Sequence, residues 1–103
     1  MSETPRLEEI SPGHIKLCGD LTFATVAALQ QASQRLLTRA SGEITIDLSG
    51  IRRADSAGLA LLVEWLRLAK KQNKRLTLIN LPHQLLTMAK TYDLQRLLPV
   101  YHG

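Results

Sequence analysis

Asp55-Ser56-Ala57-Gly58 is the stretch of this chain whose residue types and spacing look most like chemistry. Ile44-Thr45-Ile46-Asp47-Leu48 alternates apolar with polar residues ahead of it, Arg52-Arg53 makes a short basic loop, and a long apolar run at helical spacing follows. That order puts the Ser56 hydroxyl at a helix start, on the rim of the fold. Two readings of it stay open. A serine there can accept a hydrogen bond from a backbone N–H one or two residues on, a cap worth about 1 kcal/mol. The same place also favours negative charge, so a phosphate or a partner's carboxylate is tolerated there and the hydroxyl can be functional. Asp55 is then a turn residue or a contact for a partner's cation, while Asp47 and Ser49 read as turn formers.

Other chemistry finds little support. His14, His83 and His102 are scattered and share no ligand spacing, which argues against a metal site or a Ser-His-Asp triad. Gly50 and Gly58 do not make a phosphate loop, because the Gly-Lys-Ser/Thr ending is missing. Cys18 is the single cysteine and cannot form an internal disulfide. No catalytic residue and no cofactor is expected, and an enzyme is the weakest of the readings. The formal charge of +4 comes mainly from Arg52-Arg53 and from Lys70, Lys71, Lys74 and Arg75. Such charges read as solvated loop and helix-end residues, or as a site for an acidic protein surface or anionic head groups. Nucleic-acid binding would need clustered charge with aromatic or groove-reading elements. No apolar run approaches the ~20 residues that cross a bilayer. The first residues lack the basic-then-apolar order of a secretory signal, so a soluble cytoplasmic protein is expected.

The elements that must position Ser56 follow from periodicity. With 103 residues and 45% apolar content the chain suffices for one domain, 1–103, with a real core. Ser11-Pro12-Gly13 predicts a hairpin over 7–18 with Ile15 and Leu17 inward, ended by Gly19-Asp20. A helix is predicted over 22–39, with Val26, Leu29, Ser33, Leu36, Leu37 and Ala40 on one side and Gly42 after it. Ile44, Ile46 and Leu48 make a strand, 57–72 the longest helix, and 76–79 another strand. Pro82 suits the first turn of a third helix, with a stripe of Leu85, Met88, Ala89 and Tyr92. Leu97, Leu98, Val100 and Tyr101 form either an edge strand or a packed tail. Repeated strand–helix units imply parallel pairing with right-handed crossovers, hence an α/β fold: a small mixed sheet with helices packed against it.

The longest helix raises a second question. Leu59, Leu62, Val63, Leu66 and Ala69 form its expected inward stripe, and Leu61, Trp65 and Leu68 widen the apolar arc beyond one sheet face. That shoulder either packs beneath a neighbouring helix or stays exposed as a partner surface, where tryptophan is a favoured anchor. In the second case Leu61 and Trp65 lie one to two turns from Ser56, an arrangement suited to docking rather than catalysis.

Ile46-Asp47-Leu48-Ser49-Gly50 followed by Asp55-Ser56-Ala57-Gly58-Leu59 resembles the signature of STAS domains, the fold shared by anti-sigma-factor antagonists and transporter tails. The resemblance covers nearly the whole chain, including Gly19-Asp20-Leu21. Residues 58–62, 68–72 and 88–94, with Leu98-Pro99, are most similar to the small cytoplasmic STAS subunits of Mla-type ABC systems, which move phospholipids to maintain outer-membrane lipid asymmetry. The resemblance implies a non-catalytic subunit that binds the ATPase, and through it the permease complex, at the inner face of the inner membrane. Asp55, Ser56, Ala57, Gly58, Leu61 and Trp65 would be the partner-binding residues. The alternative it leaves open is an anti-sigma-factor antagonist, in which Ser56 is phosphorylated.

Overall fold

A computed structural model describes residues 4–39, 42–94 and 100–101. Strands β1 (Arg6–Ser11) and β2 (His14–Leu21) form the expected antiparallel hairpin, with Ile15 and Leu17 buried. Helix α1 (Val26–Arg39) leads to β3 (Glu43–Ala54), α2 (Ser56–Lys71) to β4 (Arg75–Ile79), and α3 (His83–Thr91) precedes β5 (Val100–Tyr101). The sheet order is β1-β2-β3-β4-β5, with β2 to β5 mutually parallel. Because the parallel strands lie in chain order, every right-handed crossover steps the same way and puts its helix on the same face. α2 packs against both α1 and α3 and so lies between them.

That central position explains the wide apolar arc of α2. A helix flanked on both sides and laid on a sheet has three apolar surfaces to cover. Gly58, Leu59, Leu61, Leu62, Trp65 and Ala69 are its buried residues, while Val63, Leu66 and Leu68 are half-buried. The inward stripe is therefore rotated toward Leu61 and Trp65 relative to the one expected. Trp65 is 1% exposed and Leu61 7%. Trp65 lines a small apolar cavity with Leu36 and Leu37 of α1 and Ile15 and Ile46 of the sheet. The shoulder thus packs within the chain. Leu61 and Trp65 are core residues, which corrects the expectation that they form an exposed docking face.

Two boundaries also differ. β2 runs through Gly19-Asp20 to Leu21, and β3 continues to Ala54 through the segment expected to be a basic loop. Along their pairing, Lys16 to Cys18 is two steps while Asp47 to Gly50 is three; Gly19 to Asp20 is one step while Ile51 to Arg53 is two. Each shift inserts an extra residue into β3, as bulges do. They break the alternation, so Arg52 and Arg53 both face solvent before Ala54 turns inward. Gly50 fits the first bulge because a Cβ there would lie 2.6 Å from Cys18 Sγ.

α1 begins at Val26 rather than at 22. Thr25 Oγ1 accepts from Thr22 N–H (3.0 Å) and donates to the Asp20 carbonyl (2.7 Å), which holds 22–25 as a turn. α3 ends at Thr91, leaving Tyr92 56% exposed, off the stripe that keeps Leu85 and Ala89 buried. Val100–Tyr101 pair with β4, so this part of the C-terminal segment is an edge strand. Ala40, Leu97 and Leu98 lie outside the described residues.

Candidate functional site

Parallel strands that all return through helices on one face gather their C-terminal ends, and the helix N-termini, along one edge. Ser56 stands there as the first residue of α2, exposed, its hydroxyl in no hydrogen bond among the described residues. The cap is Asp55. Its backbone is extended, and Oδ1 accepts from Ala57 N–H (3.0 Å) and Gly58 N–H (3.2 Å). The capping reading of Ser56 is overturned, because a carboxylate one residue earlier already satisfies those donors. The fold makes no use of the Ser56 side chain.

Asp55 has a second hold. Its Oδ2 accepts from the Phe23 N–H at 3.0 Å, and its own N–H donates to the Leu21 carbonyl at 3.2 Å. One side chain therefore joins the start of α2 to the turn after β2. At the tip of that turn the Phe23 side chain is 80% exposed, the most exposed large apolar residue described. Phe23 falls within the helix that the periodicity predicts over 22–39, so the sequence pattern does not single it out. The polar signal was there in Thr22 and Thr25, which favour turns and caps over helix interiors.

Gly58 lets the two elements come this close. A Cβ at that position would meet the Leu21 carbonyl oxygen at 2.2 Å and Leu21 Cγ at 2.7 Å. Gly58 is buried and Ala57 half-buried, so of the motif's four residues Ser56 is the exposed one and the others position it. From α3, Gln84 Oε1 accepts from the Ala54 N–H at 3.2 Å and fixes the end of β3. Arg53 pairs with buried Asp20 at 3.5 Å.

Asp47 and Ser49 lie within β3 rather than in a loop. Asp47 Oδ1 accepts from the Ser49 N–H (2.9 Å) and the Asn80 side-chain amide (3.1 Å). Partial burial pushes the Asp47 carboxyl up, but these donors and the Lys16 charge outweigh it and hold the group below its ordinary 3.8. Asp47 thus ties β3 to the residue after β4, on the opposite sheet face from the helices. Among the described residues no cluster of three or more His, Cys, Asp or Glu is placed to hold a metal. Nor is any helix long and apolar enough to cross a membrane. The arrangement at Ser56 is a surface: an available hydroxyl beside a projecting aromatic ring, both on backbone that is hydrogen-bonded into the fold.

A one-layer helix packing on a sequentially ordered sheet, with an Asp-capped Ser at the start of the central helix, defines the class. The family model described as "Mlab, STAS domain" matches residues 8–99, and the chain belongs to the STAS-domain family. It is similar to the intermembrane phospholipid transport system binding protein MlaB of Haemophilus influenzae, 36% identical over 81 residues that span 76% of this chain and 77% of that protein. It is also similar to the protein of the same name from Escherichia coli K12, 45% identical over 53 residues. That match spans 52% of this chain and about half, 55%, of the Escherichia coli protein's length. Among solved structures, an anti-sigma factor antagonist from Mycobacterium paratuberculosis superposes with a TM-score of 0.76 at 20% identity, covering 97% of this chain and 86% of that one. At that identity the likeness concerns the fold alone.

Proposed function

We propose that this chain is the non-catalytic STAS subunit of an Mla-type ABC phospholipid transporter, and that it docks on the ATPase through the edge built by Phe23 and Ser56. The names of its relatives support the system. The observation that carries the docking edge is the Asp55 carboxylate, which ties an exposed aromatic and an unused hydroxyl into one surface. Phe23 replaces Leu61 and Trp65 as the apolar anchor, Gly58 lets α2 lie against Leu21, and Ala57 donates its N–H to the Asp55 cap.

The test is co-purification of the ATPase with Phe23→Asp protein. Substitution at an 80% exposed side chain should change stability by no more than about 0.5 kcal/mol. Loss of an aromatic anchor should weaken the complex by at least about 30-fold. Undiminished co-purification by folded Phe23→Asp protein would remove this edge from the interface.

The exposed, unpartnered hydroxyl also supports a second reading, a phosphorylation-controlled anti-sigma-factor antagonist. A phosphate at Ser56 would add about −1.5 to −2 charges to the docking edge. Incubation with a cognate anti-sigma kinase and ATP, followed by mass spectrometry, separates the two. Stoichiometric modification of Ser56 favours the switch, and an unmodified chain that holds the ATPase favours the transporter subunit.

A further inference from the structure

The end of the molecule opposite Ser56 gathers six of the chain's thirteen lysines and arginines. Helices that connect parallel strands run antiparallel to them, so the C-terminal ends of α1, α2 and α3 collect where β3 and β4 begin. Arg35 of α1, Lys70 and Lys71 of α2, and Lys90 of α3 are exposed there, with exposed Arg75 opening β4. Lys74 joins them, its ammonium donating to the carbonyls of Leu37 and Thr38 at the end of α1. Among the described residues at this end, two carboxylates stand against these six cations. Glu43 reaches Arg75 only at 3.8 Å, with both side chains about 80% exposed, and Asp93 follows α3. Arg35, Lys70, Lys71 and Lys90 make no ion pair among the described residues. Tyr92, 56% exposed, lies two residues after Lys90, at the same end.

We infer that this end is a contact surface for an anionic phospholipid bilayer. The cations come from three separate helices and a strand, so they spread across the end of the domain instead of lining a groove, as contact with a planar charged surface requires. Clusters of four to eight basic residues bind acidic lipid surfaces, and tyrosine suits the boundary between apolar and aqueous phases. Charge compensation of helix dipoles accounts for Lys70, Lys71 and Lys90 singly. It does not account for Arg75 at a strand start or for exposed Tyr92. The surface is distinct from the Phe23–Ser56 edge and independent of the reading given to that edge.

Flotation of the purified chain with vesicles tests this. Protein should float with phosphatidylcholine vesicles containing about one-third phosphatidylglycerol, not with phosphatidylcholine alone, and should be released at about 1 M salt, where charge is screened beyond ~3 Å. Lys70→Gln/Lys71→Gln/Lys90→Gln protein should partition roughly a hundredfold less, about fivefold per lysine. The corresponding triple arginine variant should bind as the wild type does, which separates charge from an effect on folding. If the wild-type chain stays unbound, or the glutamine variant floats like the wild type, the inference is overturned. Capture by immobilised polyglutamate without flotation would instead assign the end to an acidic protein segment and overturn the lipid assignment. No ATPase is present in the assay, so its failure would leave the docking edge untouched.

Discussion

Replacing Asp55 separates its two tasks, and the expected sizes follow from its contacts. Asp55→Ala removes the acceptor for Ala57 and Gly58, a capping loss of about 1 kcal/mol, and the acceptor for Phe23, worth about 0.5–1.5 kcal/mol. The total is about 2 kcal/mol, or roughly 10 °C in melting temperature for a domain of this size. Asp55→Asn keeps an oxygen in the capping position but turns an amide toward the Phe23 N–H, donor against donor. It should cost about 1 kcal/mol and free the Phe23 turn while α2 stays capped. Urea denaturation with far-ultraviolet circular dichroism measures the stability, and calorimetric titration with the ATPase measures the docking. The expected pattern is a folded Asp55→Asn protein whose affinity falls toward that of a Phe23→Ala protein. An Asp55→Asn protein with wild-type affinity would refute the tether, and an Asp55→Ala protein less than about 0.5 kcal/mol below wild type would refute the cap.

Two further outcomes follow from contacts already described. Gly58→Ala forces a methyl against the Leu21 carbonyl, where a Cβ would stand at 2.2 Å; overpacking of about 1–3 kcal/mol should exceed the ~1 kcal/mol gained in helix propensity, and an equally stable variant in urea melts would show that α2 can shift freely. The depressed Asp47 carboxyl contributes stability that is present above its unfolded-state value near 3.8 and is lost as pH falls through its lower folded value; Asp47→Asn protein should therefore trail wild type at neutral pH and converge with it below that range in acid-denaturation curves.

What was legible in the sequence was whatever a single element decides. The apolar alternation of Ile44, Ile46 and Leu48 and the turn at Pro12-Gly13 needed only local geometry, and both appear in place. The family was legible for the same reason, since its signature is a run of neighbouring residues. The failures lie where two elements meet. Strand β3 keeps pairing through two bulges, which a period of two cannot signal, so Ser49–Arg53 looked like a loop. Whether Leu61 and Trp65 were covered depended on α2 lying between α1 and α3, a fact of topology that amphipathicity does not contain. The hydroxyl of Ser56 and the carboxylate of Asp55 are adjacent, and either could have been the cap. The choice rests on backbone dihedrals, with Asp55 extended at φ −133° and ψ −172° and Ser56 already helical.

With Phe23 rather than Trp65 as its apolar anchor, the proposed docking edge is a different kind of surface. A tryptophan on the face of α2 would have made docking a property of one helix, and burying it would then have competed with the core. Removing Trp65 now reads as a folding lesion, since taking away so buried a side chain costs about 3–5 kcal/mol. Phe23 instead projects from a four-residue turn whose backbone is held at both ends, by Thr25 to Asp20 and by Asp55 to Phe23 itself. Its ring contributes little to the core, so its position can answer to a partner without weakening the fold. Ser56 meets the same condition, exposed and unbonded one residue from the cap. Because the Phe23 turn and the start of α2 both depend on one carboxylate, a change that displaces the Asp55 side chain should loosen the turn and uncap the helix together.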